Sequence, residues 1–293
     1  MTSPPGAATK PRDERASPDP DPQLPGAIHL GHWRGIALRA HWSAVITVLL
    51  VADILAASLP VTAPHHSHAG YWGTALVVGV VFVASILAHE LAHAAVARHY
   101  RMPVRSVTLW MLGGATSLGG DAPTPRAEIA IAAAGPATTL VVAGLAAIGA
   151  WLMPAGLITA ALSWLAVMSL VLAVFNLLPA APLDGGRVLR GIVWWRVRDR
   201  DRATTVAGSA GRALGVVLIA LGAFETLAGY LGGLWLVLLG WFIRSGAVAE
   251  QVVGRTNRLA NIPVGIVTAA DIDVVATLTD LGVRDTVDDT GTS

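Results

Sequence analysis

Residues 74–98 read TALVVGVVFVASILAHELAHAAVAR, an apolar run with no lysine or arginine before its last residue. The run exceeds the roughly 20 residues that a helix needs to cross the hydrocarbon core of a bilayer. It is therefore predicted to be a membrane-spanning helix. Three polar side chains in the second half of this run, His89, Glu90 and His93, are expected to have a function, because ionisable groups inside a membrane helix are costly.

The composition of the whole chain also indicates a membrane protein. Of its 293 residues, 54% are hydrophobic and 13% are charged, whereas soluble domains have about 45–50% and about 25%. A soluble enzyme is thereby excluded as the main body of the chain. The chain has no cysteine, which excludes disulfides, thiolate ligands and a cysteine nucleophile. Any metal must be held by histidine, aspartate or glutamate.

Lysine and arginine are absent from three long segments, residues 40–97, 127–186 and 213–243. The first two segments can each hold a hairpin of two spanning helices, and the third can hold a shorter hairpin. We therefore predict six spans, at residues 41–59, 74–98, 128–152, 157–178, 212–229 and 231–247. All the basic residues then lie on one side of the membrane, and the positive-inside rule places both termini in the cytoplasm.

The predicted spans divide the chain into three parts. Residues 1–33 are rich in proline and charge and are expected to form a disordered cytoplasmic tail, without the apolar stretch of a signal peptide. Residues 34–247 form the six-span membrane domain. Residues 248–293 are expected to be a short cytoplasmic appendage, in which residues 262–268 weakly resemble a piece of a nucleotide-sensing CBS domain. Nucleotide regulation is not predicted.

A second structural pattern lies between the second and third spans. Residues 104–118 have β-branched and aromatic residues on both sides of Gly113 and Gly114, which is typical of a β-hairpin. Backbone of this kind persists at membrane depth only where protein or a water-filled cavity satisfies its polar groups. The predicted fold class is therefore an all-α polytopic membrane protein with about six transmembrane helices and a small membrane-associated β-hairpin or sheet beside a wet site.

His89, Glu90 and His93 form an H-E-x-x-H motif. Two histidines four residues apart share one helix face and can both bind a single zinc ion, with the glutamate as general base. A catalytic zinc takes three protein ligands, so one more must come from elsewhere. Asp184 is the best candidate, because the proline- and glycine-rich stretch 179–186 after the fourth span can fold back into the membrane. The alternative interpretation of the motif is that His89, Glu90 and His93 bind no metal and hydrogen-bond to neighbouring helices.

Taken together, these motifs resemble the bacterial type of the site-2 protease family, the intramembrane zinc metalloproteases of peptidase family M50. The resemblance rests on H-E-x-x-H, the glycine-pair hairpin, A-G-P at residues 134–136 and N-x-x-P-x-x-P-L-D-G-G-R at residues 176–187. It covers residues 35–190, about half of the chain. The chain departs from the family at Thr139, where the third span of relatives often has the asparagine of G-P-x-x-N.

The resemblance implies that one Zn²⁺ is held by His89, His93 and Asp184 and that Glu90 is the catalytic base. It also implies that Asn176 is a substrate-binding residue, which holds the substrate or the developing oxyanion. It implies an intramembrane endopeptidase of regulated intramembrane proteolysis, located in the inner membrane. The implied partners are membrane lipid and transmembrane substrates, such as anti-sigma factors or signal-peptide remnants, and no nucleic acid. We also expect the hairpin edge to hold an unwound substrate segment as an added strand.

Two other functions are compatible with part of this pattern. A divalent-metal carrier could use the same ligands in a transient site, but it leaves Glu90, between the two histidines, without a purpose. An inactive membrane scaffold could keep the fold, but it does not require the complete set of catalytic residues.

Other polar residues have simpler interpretations. His65, His66 and His68 could bind a metal in the outward loop, although a solvated loop is favoured because no carboxylate lies nearby. Asp53 and Glu225 could each line a water path. For Asp53, in the first span, pairing with a group on a neighbouring helix is favoured. Glu225, near the outer end of the fifth span, is expected to extend towards the membrane surface.

Overall fold

The computed structural model describes residues 26–260 apart from Leu112, with the backbone alone at Ala115 and at residues 251–260. The CBS-like stretch lies outside these residues. The described elements are β1 (Ala27–Trp33), β2 (Ile36–His41), α1 (Ser43–Thr62), α2 (His68–His99), β3 (Val104–Trp110), β4 (Gly113–Leu118), α3 (Pro125–Leu152), α4 (Leu157–Asn176), α5 (Asp184–Val197), α6 (Arg200–Leu227) and α7 (Gly233–Ala260). Every described helix except α5 is long and apolar enough to cross a membrane, which confirms the predicted fold class.

The chain forms two compact units. The first contains residues up to Asp121 together with residues 138–169, and the second contains residues 122–137 and the chain from Leu170 onward. Helices α3 and α4 contribute residues to both units.

The core of the first unit is built from α1, α2, the second half of α3 and the first half of α4. Small and branched residues alternate in it, so that Ala52, Ala56 and Ala75 lie between larger side chains such as Leu55 and Leu59. Small residues let neighbouring helices approach closely, which is the main source of helix association in lipid. Gly79 of α2 shows how close the approach is, because a Cβ there would lie 2.8 Å from the carbonyl oxygen of Val48 on α1.

The first unit also contains a four-stranded sheet in the order β1-β2-β3-β4. The β3–β4 pair is antiparallel, as the predicted hairpin requires, and β2 runs parallel to β3. A parallel pair needs a long crossover connection, which α1 and α2 supply. At the start of α1, Ser43 Oγ accepts a hydrogen bond from the Met111 backbone N–H at 3.0 Å, and Thr47 Oγ1 donates to the Met111 carbonyl at 2.8 Å. These two bonds fix the end of the hairpin against α1.

The sheet begins earlier in the chain than expected. Strand β1 lies inside residues 1–33, which were expected to be a disordered tail, and β2 occupies the approach to the first span. The two strands are joined at Arg34 and Gly35, which have φ angles of 49° and 82°, the left-handed conformation of a tight hairpin turn. The expectation of disorder is therefore wrong for residues 27–33. Pairing with β2 supplies hydrogen bonds to the backbone of β1, and the composition of this segment gives no sign of that partner.

In the second unit, α5 was not predicted, because the two glycines at its start indicated irregular backbone. Its stability comes from packing and from charge. The buried Glu128 of α3 contacts Arg190 at 2.5 Å and Arg187 at 3.4 Å, and Arg190 also contacts Glu250 of α7 at 2.8 Å. Removing one member of such a buried ion pair costs about 3–5 kcal/mol. This network therefore fixes α5 between α3 and α7.

The helix that contains the fifth span begins earlier than the predicted span, which was placed at residues 212–229. The alternating charges at residues 198–202 were expected to form a solvated loop, whereas α6 begins at Arg200. The helix starts there because Asp199 caps it, with its side chain accepting hydrogen bonds from the backbone N–H groups of Asp201 and Arg202. Asp at an N-cap satisfies amides that otherwise lack a partner in the first turn.

Candidate metal centre and its surroundings

His89 and His93 lie one turn apart on α2, and both side chains are buried, with 5% of each residue exposed. Their Nε2 atoms are 3.1 Å apart. Two nitrogens that bind one tetrahedral zinc at about 2.0–2.1 Å must lie about 3.3 Å from each other. The two imidazoles thus converge with the spacing that a shared zinc ion requires, so the donor set and its geometry fit this metal.

A threonine orients the first of these histidines. Thr139 of α3 is fully buried, and its Oγ1 lies 2.9 Å from Nδ1 of His89. When Nδ1–H donates to this hydroxyl, the Nε2 lone pair is free to bind a metal, which is the usual way that an outer partner fixes the tautomer of a liganding histidine. Thr139 was missed as a site residue. The feature of the sequence that could have indicated its role is its position, because Thr139 replaces the asparagine of the family pattern G-P-x-x-N.

Glu90 is half-buried and lies against β4. Thr116 Oγ1 donates to Oε2 of Glu90 at 2.7 Å. Gly114 passes so close that a Cβ there would lie 2.3 Å from Cγ of Glu90. The hairpin expected beside a wet site therefore contacts the predicted catalytic base itself. One contact comes from Gly114 of the glycine pair that predicted the hairpin, and the other comes from Thr116, which the sequence did not single out.

Asp184 and Asn176 lie in the second unit, on either side of the turn between α4 and α5. Asn176 is the last residue of α4, and Asp184 is the first residue of α5, and both are half-buried. A carboxylate in the first turn of a helix faces unpaired backbone N–H groups, which stabilise its negative charge. The roles predicted for these two residues stay predictions.

Glycines hold this turn in place. A Cβ on Gly185 would lie 2.2 Å from the Leu177 carbonyl oxygen, and one on Gly186 would lie 2.4 Å from the Ala181 backbone nitrogen. The turn also rests on α6, where a Cβ on Gly211 would lie 2.2 Å from the Ala181 carbonyl oxygen. Backbone therefore packs on backbone here, which leaves the position of Asp184 little freedom.

The outward-loop histidines are accounted for by local contacts. Nδ1 of His66 lies 3.1 Å from the Pro64 carbonyl oxygen, and the His66 ring contacts Tyr71 edge-on. His65 and His68 are exposed. The favoured interpretation, a loop rather than a metal site, stays a prediction.

Known proteins with similar sequences point to one class, the membrane-embedded zinc metallopeptidases. The family model for Peptidase family M50 matches residues 77–157 and 150–219. A Mycobacterium tuberculosis protein named zinc metalloprotease Rip3 is 44% identical over 238 residues, which is 80% of this chain and 61% of that protein. A Synechocystis protein named zinc metalloprotease sll0528 is 34% identical over 69% of this chain and 56% of its own length.

The fold comparison agrees with this class. The solved structure of the site-2 protease from Methanocaldococcus jannaschii matches with a TM-score of 0.51 and 25% identity, and the match covers 77% of this chain and 95% of that one. The chain belongs to the site-2 protease family within peptidase family M50. It spans about three fifths of the length of the curated M. tuberculosis relative it matches. Because these relatives are named zinc metalloproteases, the expected zinc cofactor is confirmed. The family and the six candidate spans together confirm a multi-pass membrane protein.

Replacing Thr139 by valine is expected to weaken zinc binding about 10- to 100-fold, the usual effect of losing the outer partner of a liganding histidine. Zinc affinity measured by competition with a chromogenic chelator, on protein purified in detergent, tests this. Thr138→Val is the matched control, since Thr138 directly precedes Thr139 on the same helix. This substitution should change the zinc affinity by no more than about twofold. Equal affinity for Thr139→Val and wild type would show that the hydroxyl does not orient His89.

Proposed function

We propose that this protein is an intramembrane zinc endopeptidase that hydrolyses peptide bonds in or near the transmembrane segments of membrane proteins. The observation that carries the proposal is the position of Glu90. Along α2, Glu90 lies between His89 and His93, whose Nε2 atoms converge. Its carboxylate contacts Thr116 and lies against Gly114. A base held beside a metal-binding pair is what peptide hydrolysis needs, and a purely structural helix has no use for it.

We propose His89, His93 and Asp184 as the protein ligands of one zinc ion, and Asn176 as a substrate-binding residue. Two imidazoles and one carboxylate form a ligand set typical of catalytic zinc, which keeps a fourth position for water or substrate. The family match supports this set, because its two segments include both the H-E-x-x-H motif and Asp184.

The chemistry follows from these residues. When bound, zinc supplies Lewis-acid activation of water and of the scissile carbonyl. Glu90 removes a proton from the attacking water as the new carbon–oxygen bond forms, and delivers that proton to the departing nitrogen as the carbon–nitrogen bond breaks. Thr116 donates to Oε2, which leaves Oε1 of Glu90 to carry the proton. In this proposal, Asn176 donates a side-chain N–H to the substrate carbonyl.

The substrate must be extended before it can be cut, because a helix holds its carbonyls in internal hydrogen bonds. The sheet offers a template for this. The edge was expected around residues 107–112, but β3 pairs on both sides, with β2 and with β4. The edge next to Glu90 is β4. We propose that β4 pairs with the unwound segment of a single-span substrate, such as an anti-sigma factor or a signal-peptide remnant.

The proposed location is the inner membrane, with both termini in the cytoplasm. The support is the distribution of arginine and lysine, which places every basic segment on one side of the six spans.

Glu90→Gln and Asp184→Ala test the hydrolase directly. In proteoliposomes with a single-span substrate, the wild type should hold about one zinc per chain and cut. Glu90→Gln should keep the zinc and lose hydrolysis by at least about 1,000-fold, because the base is removed while the ligands stay. Asp184→Ala should lose both. A divalent-metal carrier would instead transport zinc across the membrane, and Glu90→Gln would leave that transport intact. Such transport, together with no cleavage by the wild type, would contradict the proposal that the protein is a protease.

Gly114→Ala is expected to abolish most hydrolysis without removing zinc. The added methyl group would lie 2.3 Å from Cγ of Glu90, so the carboxylate must shift away from its working position. Gly144→Ala is the control, because a Cβ at this helical glycine has nothing within 4 Å. Cleavage rate and zinc content are measured on the same samples. Full activity in Gly114→Ala would mean that the position of Glu90 against β4 does not matter for catalysis.

Strand pairing at β4 can be tested by cross-linking, because the chain has no cysteine. In a Glu90→Gln background, Ser117→Cys should form a disulfide with a cysteine placed beside the scissile bond of the substrate. Leu145→Cys, on an exposed position of α3, should not. Equal yields at the two positions would exclude β4 as the docking edge.

A further inference from the structure

His29 and His32 of β1 form an exposed pair of side chains at the edge of the sheet. Nε2 of His29 lies 3.3 Å from Nδ1 of His32, and the two ring centroids are 4.6 Å apart. Residues three apart in a regular strand point to opposite faces of a sheet. The contact between these two rings therefore requires an irregularity in β1.

A β-bulge supplies this irregularity, because it adds one residue to β1 between His29 and Gly31. The partners of His29 and His32 on β2 are Arg39 and Ala37. These partners are two residues apart, so they point to the same face of the sheet, and the two histidines share that face with them. Gly31 has a φ angle of 134°, which glycine adopts without the clash that a Cβ would bring. The bulge thus turns both imidazoles to one side.

The spacing and exposure of this histidine pair fit a divalent transition-metal ion. Two nitrogens bound to one tetrahedral zinc at about 2.0–2.1 Å lie about 3.3 Å apart, and the two facing nitrogens have that separation. Nickel and copper also take imidazole ligands, whereas magnesium and calcium prefer oxygen. Because both side chains are exposed, water can complete the coordination shell.

We propose that His29 and His32 bind one divalent transition-metal ion at a second site, built from different residues than the centre on α2. In the metal-free pair, one facing nitrogen donates its proton to the other in a hydrogen bond. On metal binding, that proton passes to water, and water returns one to the opposite nitrogen of the same ring. Both facing lone pairs then bind the ion. The proposal goes beyond the hydrolase and does not rest on it.

The histidine pair should bind metal more weakly than the centre on α2. It offers two protein ligands, whereas we propose three for that centre, and Arg39 adds a positive charge on the same face of the sheet. Zinc retained through purification should therefore occupy the centre on α2. The histidine pair should fill only when further metal is added.

Calorimetric titration with zinc tests the site. The untagged full chain in a neutral detergent, already loaded with one zinc per chain, should bind one further equivalent. His32→Ala should weaken this second binding event at least about tenfold, since even an outer partner of a liganding histidine contributes that much. His68→Ala removes another exposed histidine and should leave the affinity unchanged. A wild type without a second equivalent, equal affinity in His32→Ala, or an equal loss in His68→Ala would overturn the proposal.

Gly31→Ala tests the bulge while keeping both histidines. A side chain strains the backbone at a φ angle of 134°, so β1 should straighten and turn one ring away. The second zinc should then bind at least about tenfold more weakly, as when a ligand is lost. Gly73→Ala is the control, because a Cβ at this helical glycine has nothing within 4 Å. Retention of the first zinc shows that each variant is folded. Unchanged binding of the second zinc in Gly31→Ala would contradict a site built by the bulge.

Discussion

The structure depends on the need to satisfy three ionisable side chains inside one apolar helix. His89, Glu90 and His93 lie within five consecutive positions of α2, where lipid supplies no hydrogen bonds. Each of the three has a polar partner in the structure. Thr139 on α3 faces His89, Thr116 on β4 faces Glu90, and the two imidazoles face each other. The placement of α3 and of the sheet around α2 follows from this requirement.

The sheet is the clearest consequence. Strands are rare at membrane depth, because their edges expose unpaired backbone groups. Here β3 is paired on both sides, and β4 is held against α2 by Gly114, whose missing side chain admits the Glu90 carboxylate. The same contact that fixes the base leaves a strand edge beside it. One arrangement of backbone thus positions Glu90, the proposed base, and leaves beside it the strand edge that we propose as the docking site for substrate.

Much of this could be predicted from the sequence, since the strongest patterns are physical ones. The gaps in lysine and arginine gave the spanning helices, and H-E-x-x-H gave the metal-binding pair. The glycine pair gave the β3–β4 hairpin. What was missed depends on tertiary contacts. Strand β1 exists because β2 pairs with it, and α5 exists because Glu128 and Glu250 bind its arginines. No local pattern in residues 27–33 or 184–197 indicates those partners.

The site itself was only partly predicted, because several threonines and glycines acquire their roles only through tertiary contacts. Thr116 and Thr139 are ordinary residues for a strand and a membrane helix, and only their contacts with Glu90 and His89 give them a role. Gly185 and Gly186 predicted irregular backbone, and no pattern marked Gly211, whereas each of the three allows two stretches of backbone to touch. Their importance lies in distances, which a single sequence does not contain.

X-ray absorption at the zinc edge, on the wild-type chain in lipid nanodiscs, tests the central claim most directly, because it reports the atoms bound to the metal. The account predicts one zinc per chain with two imidazole nitrogens at about 2.0–2.1 Å, completed by oxygen ligands, and one fewer imidazole in His93→Ala. A shell of oxygen atoms alone, or a spectrum that His93→Ala leaves unchanged, would contradict a zinc centre built on α2.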